Sequence, residues 1–149
     1  MQKNFITTGK KLISVISILL LLSSCKKDSK SECTPSLASV SGTYKLTALK
    51  YKAGGTSATE QDYLLMRDDC ENDDLIILNA NGTYQYQDAG ISCSPDGNDN
   101  GTWGITGNMV FSDGIVGGTI ESFDCRSLTV YTSNFIVPGD KITMTITRQ

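Results

Sequence analysis

Histidine is absent from the 149-residue chain, and that absence excludes a good deal of chemistry. No Ser-His-Asp or Cys-His nucleophile system can be assembled, and no imidazole is available to a metal. The five cysteines include no Cys-x-x-Cys pair, which disfavours a thiolate zinc site as well. Long apolar runs are missing too. The most extended, Leu12 to Leu22 broken only by Ser14 and Ser17, is half of what a bilayer needs, about 16 Å of helix against a hydrocarbon core of about 30 Å. Basic residues are scarce: beyond Lys3, Lys10 and Lys11 the chain carries 10 basic and 16 acidic side chains. No basic stripe is left to neutralise phosphates, so nucleic-acid binding is disfavoured.

What is present begins with the first 24 residues, which hold three lysines, then the apolar run, and no acidic residue. That order of a charged and an apolar region reads as a cleaved export signal. Its end, Leu22-Ser23-Ser24-Cys25, resembles the bacterial lipoprotein signal peptide. The resemblance implies that residues 1–24 are removed and that Cys25 becomes an acylated first residue, which partners the membrane through its lipid. Two or more acyl chains, at about 0.8 kcal/mol per buried CH₂, make such an anchor long-lived. Lys26-Lys27-Asp28 is similar to the short charged signals that carry some lipoproteins to the outer face of the outer membrane. The expected location is therefore the cell envelope, lipid-anchored to the outer membrane, on its periplasmic or its exposed face. Residues 25–40, mostly small and polar, read as a flexible tether on the order of 20 Å long, and residues 41–149 as one folded domain.

Within that domain, short apolar-polar alternations recur between turn residues. Gly42 to Lys52 changes phase near Ala48, which predicts a bulge. Ser57-Ala58-Thr59-Glu60 has the spacing of a capping box and predicts a short helix running to about Arg67. The best-determined piece is Leu75 to Asp88. Asn79-Ala80-Asn81-Gly82-Thr83 suits a three-residue hairpin loop with a left-handed glycine. In that register Leu78 faces Tyr84 and Ile76 faces Tyr86, whereas a two-residue turn would split the apolar set between the two faces. Further strands are expected at Thr102–Thr106, Met109–Ser112, Thr119–Phe123, Ser127–Thr132 and Lys141–Arg148, with turns at Gly107-Asn108 and Val137-Pro138-Gly139-Asp140. Gly-Thr followed by a bulky residue opens strands at Gly42, Gly82, Gly101 and Gly118, a recurrence that any tight meander needs.

Four cysteines remain once Cys25 is set aside, an even number in an oxidising compartment. Carried outward, the hairpin register puts Cys70 opposite Ser92, so Cys70 pairs with Cys93 and closes a loop worth about 3 kcal/mol. Cys33 then either pairs with Cys125, pinning the tether to the domain, or stays free or intermolecular. Two acidic stretches invite a calcium reading. Asp68 to Asp74 contains five carboxylates with nothing to fix them inward, and reads as a solvated turn. Asp96-Gly97-Asn98-Asp99-Asn100-Gly101 matches half of an EF-hand loop but has Gly107 where the bidentate glutamate belongs, and reads as a mobile strand connection. No metal site is expected.

About eight antiparallel strands joined by tight turns favour an all-β up-and-down barrel or a sandwich, with one short helix after the first strand. Closure removes exposed edges and suits tight turns that set sequential strands side by side, so the barrel is expected. Gly42-Thr43-Tyr44, Cys70 followed by Asp73-Asp74, Asn81-Gly82-Thr83-Tyr84, Cys93 and Gly101-Thr102-Trp103, in that order, resemble the lipocalin-like (calycin-like) domains of bacterial lipoproteins over Gly42 to Gln149, with Tyr44 where true lipocalins carry tryptophan. The resemblance implies a small hydrophobic ligand held in the mouth. No cofactor is expected, and no catalysis either, because no spacing forces two carboxylates together and nothing positions a nucleophile or base. Tyr44, Ile76, Leu78, Tyr84, Tyr86, Trp103, Ile105 and Met144 are the candidate lining residues. Side chains this bulky could equally fill a small barrel. In that case the domain is a structural or interaction module, its partner an envelope protein or a glycan.

Overall fold

The computed structural model describes residues 33–55, 57–114 and 117–149. The signal-like segment, Cys25 and residues 26–32 lie outside the described residues. Among the described residues no helix is long and apolar enough to cross a membrane.

Among the described residues nine strands make one sheet: β1 (Gly42–Lys52), β2 (Glu60–Asp62), β3 (Leu75–Leu78), β4 (Thr83–Gln87), β5 (Asp99–Thr106), β6 (Met109–Ser112), β7 (Gly118–Phe123), β8 (Ser127–Ser133) and β9 (Lys141–Arg148). From β3 onward each strand pairs antiparallel with the next, and β9 returns to β1. Eight strands thus close into an up-and-down barrel, and β2 is an extra strand outside the ring. Closure removes the exposed edges that an open sheet of this length would carry. Strand β1 serves three partners because of its 11-residue length. Gly42 to Tyr44 bond β3, Lys50 to Lys52 bond β2, and Tyr44 to Lys52 bond β9.

The expected bulge is present. Leu46 pairs with Ile146 and Ala48 with Thr145, so Thr47 is the extra residue, and Leu46 and Leu49 both reach the interior. The hairpin register also agrees: Leu78 faces Tyr84, Ile77 faces Gln85 and Ile76 faces Tyr86. Its loop turns at Gly82, whose φ of +83° suits a residue without Cβ. Both disulfides exist, Cys70–Cys93 and Cys33–Cys125.

Four expectations need correction. The helix from Ser57 to Arg67 is replaced by β2, a 3-10 turn at Leu64–Met66, and a one-turn helix α2 at Asp69–Asn72. The capping box belongs to Asp68 and Glu71. Strand β3 leaves β1 after Tyr44, so the far half of β1 would expose unpaired amides, and Glu60 to Asp62 pair with them instead. Lys50 adds an ion pair to Glu60 at 3.2 Å. Second, residues 33–40 are part of the folded domain. Ser36 caps the short helix α1 (Leu37–Val40), and Val40 is fully buried. Third, the stretch Asp96 to Gly101 is strand from Asp99 on, pairing with Tyr84 to Tyr86 of β4. Fourth, the end of the acidic run points inward: the Asp73 carboxylate accepts from the Ile91 amide at 2.8 Å, and the Asp74 carboxylate from the Tyr86 hydroxyl at 2.5 Å and the Ala89 amide at 3.2 Å. Asp74 is buried, because an otherwise open loop from 88 to 91 needs acceptors for its amides.

One end of the barrel is shut. Val40, Tyr44, Leu78, Tyr84, Trp103, Leu128 and Ile146 are buried there in a single cluster. The Tyr44 hydroxyl donates to the Val40 carbonyl at 2.7 Å and accepts from the Arg148 guanidinium at 3.0 Å. The same guanidinium nitrogen donates to the carbonyls of Ser39 and Ser41, tying α1 down as a plug. The Trp103 ring donates to the Asn79 carbonyl at 2.9 Å. The polar tips of both aromatic side chains are therefore satisfied while their rings fill the bottom.

Candidate functional site

At the other end the strands are joined by longer connections, 53–74, 88–98, 113–117 and 134–140, and between them the interior stays open. A cavity of about 700 Å³ lies there, within the range of about 300–1,000 Å³ typical of small-molecule sites. The bulge makes one wall. Leu46 and Leu49 of β1, Val130 of β8 and Ile142 and Met144 of β9 form an apolar half together with Ile76 of β3. Alternation alone would have turned Leu49 outward, so the extra residue at Thr47 is what carries this wall up to the mouth.

The opposite wall is polar. Arg67, Asp74, Tyr86 and Asp99 line it, joined in hydrogen-bonded pairs. The Arg67 guanidinium donates to the Tyr86 hydroxyl at 3.0 Å, and that hydroxyl donates to Asp74. The Tyr84 hydroxyl donates to Asp99 at 3.0 Å. Burial pushes the pKa of both tyrosines up, and the carboxylate each one faces pushes it further; at Tyr86 the Arg67 charge works against this. Both phenols stay protonated donors at neutral pH. Gly114 lines the cavity beside them, and a Cβ there would collide with the Tyr84 hydroxyl.

The connection from 134 to 140 forms one lip and puts Phe135 at the cavity. Its hub is Asp140, which is 1% exposed. Its carboxylate accepts from the amides of Phe135 at 2.6 Å, Ile136 at 2.9 Å and Val137 at 3.0 Å, and from the Tyr51 hydroxyl at 2.9 Å. Burial opposes ionisation, but those donors outweigh it and hold the Asp140 pKa below the usual carboxylate value. The bond to Asp140, with burial second, raises the Tyr51 pKa. Across the mouth the Cys70–Cys93 disulfide joins α2 to the connection after β4. Among the described residues no group of three or more histidine, cysteine, aspartate or glutamate side chains is arranged to hold a metal ion.

Of the eight side chains expected to line a pocket, Ile76, Tyr86 and Met144 do so. Tyr44, Leu78, Tyr84 and Trp103 belong to the packed bottom, and Ile105 is partly buried against it. Leu46, Leu49, Val130, Ile142 and Phe135 were missed. Leu46 and Ile142 were legible as inward residues of clean strands, whereas Leu49 needed the exact place of the bulge and Phe135 the fold of an irregular connection. Arg67, Asp74 and Asp99 carry no local pattern, and only the closing of the barrel brings them together.

The fold is thus a closed eight-stranded β-barrel with one sealed end and an interior cavity at the other. A family model described as a lipocalin-like domain matches residues 40–123, more than half of the chain. The chain belongs to the lipocalin-like domain family. No curated protein and no solved structure matches it.

Proposed function

We propose that the domain holds a small, largely apolar molecule in the cavity and does no chemistry on it. The observation that carries this reading is the division of the cavity wall into an apolar half, Leu46 to Met144, and a short polar edge, Arg67 to Asp99. Such a surface removes an apolar ligand from water at about 25 cal/mol per Å² while orienting it through a few polar contacts. The test is binding of an uncharged, polarity-sensitive dye such as N-phenyl-1-naphthylamine to the oxidised protein. We expect saturable fluorescence enhancement that is lost in Met144→Trp, a substitution that fills the cavity from β9 and leaves the far-ultraviolet circular dichroism unchanged. Equal enhancement by the filled variant would place the dye elsewhere and end the reading.

The same proposal tethers the domain through a lipid on Cys25 in the cell envelope, at the outer membrane. Support comes from the lysines, the apolar run and Leu22-Ser23-Ser24-Cys25. Intact-mass measurement of the natural product decides it: acyl mass is expected on the Cys25 thiol, and Cys25→Ser is expected to release the protein from the membrane fraction. A second reading, contact with an envelope protein or glycan, is favoured by apolar side chains on the connections around the mouth. Leu65, Met66, Ile136 and Ile91 are each more than 60% exposed.

A further inference from the structure

We infer that the cavity selects amphiphiles whose polar end is a cation, an ammonium group in preference to a carboxylate; this rests on the binding reading above and specifies its ligand. The charged side chains lining the cavity are Arg67, Asp74 and Asp99. The one cation is already engaged: Arg67 faces the Glu71 carboxylate at 3.4 Å outside the cavity and donates to the Tyr86 hydroxyl inside it. Among the described residues neither carboxylate is in an ion pair. Asp74 accepts from a phenol and an amide, and Asp99 from the Tyr84 phenol and the Asn100 amide. These donors are neutral, so they orient the carboxylates without supplying a counter-charge. Each of these four oxygens accepts one of those bonds, and a carboxylate oxygen has two lone pairs, so each keeps capacity for a ligand. A third carboxylate, Asp113, is held close by through the Thr102 amide at 2.7 Å, and its charge acts on Tyr84 in the same sense as that of Asp99.

An alkyl chain seated against Leu49, Ile76, Val130, Ile142 and Met144 therefore brings its head group to a wall of negative sign. A carboxylate head would be repelled there, where two carboxylates stand beside one guanidinium that already pairs with Glu71. An ammonium head would be attracted in a partly enclosed site, where screening is weaker than in bulk water.

The experiment compares decylammonium, decanol and decanoate, each below its micelle concentration, by isothermal titration with the oxidised protein near neutral pH. Decylammonium is expected to bind about tenfold or more tightly than decanoate, with decanol between them. Asp99→Asn, at an exposed position, is expected to shrink that ratio several-fold, with decanol affinity measured alongside as the uncharged reference. Decanoate binding as tightly as decylammonium, or a ratio untouched by Asp99→Asn, overturns the charge preference while the apolar pocket stands. Failure of all three to bind removes the pocket itself and this inference with it.

Discussion

The two ends of the barrel solve the same problem with opposite chemistry. At the sealed end the connections are short, at 79–82, 107–108 and 124–126, and the interior is filled by rings and aliphatic side chains around Tyr44 and Trp103. At the open end the connections are long, and carboxylates hold them: Asp73 and Asp74 the loop after β4, Asp140 the lip before β9. Aromatic packing excludes space, because a ring stabilises only where its faces are covered. A carboxylate that gathers backbone amides orders a loop without filling the volume beside it. The difference teaches why one molecule can be solid below and hollow above: close packing is concentrated at the bottom, and the top is ordered by polar bonds that leave volume open.

The sharpest way to break this comparison is to empty the sealed end. Tyr44→Ala removes a fully buried ring and strips the Arg148 guanidinium of its hydroxyl partner, while the Arg148 Nε is already buried without one. We expect a loss of about 4 kcal/mol or more in urea denaturation. A loss under about 1 kcal/mol would mean that the bottom is not where stability resides. Next in size is the rim disulfide. Replacing Cys70 and Cys93 together by serine opens a link across a sequence separation of 23, and the chain-entropy estimate is about 3 kcal/mol. Dye affinity should fall at temperatures where the barrel is still folded. Unchanged affinity would show that the rim does not need this tie.

The smallest effect is expected from Asp140→Asn, which keeps the shape but loses the charge that four donors face. Its signature is in the pH profile. Because the folded pKa of Asp140 is depressed, its stabilisation is present above the unfolded carboxylate value of about 3.9 and disappears as pH falls through the folded value. The wild type should therefore lose stability in acid more steeply than the variant, read by thermal melts from neutral pH downward. On the alkaline side the raised pKa values of Tyr51, Tyr84 and Tyr86 act the other way. Their contribution is complete below about pH 10 and vanishes as pH rises through the folded values. Parallel acid limbs in wild type and variant would deny Asp140 its role as the hub of the lip.

Where side chains alternate and turns are short, the structure was legible in advance. The hairpin around Asn81-Gly82, the bulge near Ala48, the turn at Gly107-Asn108 and the last strand each follow from two or three neighbouring residues. The segment from Ser57 to Arg67 was not legible, because its fate depends on which edge of β1 is left vacant after Tyr44, a fact settled more than ten residues away. Asp73 and Asp74 show the same limit. Nothing beside them in sequence holds them inward, and their partners at 86, 89 and 91 come from another connection.

From its amino acids alone this chain was bound to be a β meander with a disulfide at Cys70 and without imidazole chemistry, since period, turn residues and composition act locally. Whether the interior would be solid or hollow was decided only when β9 closed on β1. Volume left inside a barrel depends on how all the walls stagger against each other, and the register shifts at Thr47 and Glu121 are part of that stagger.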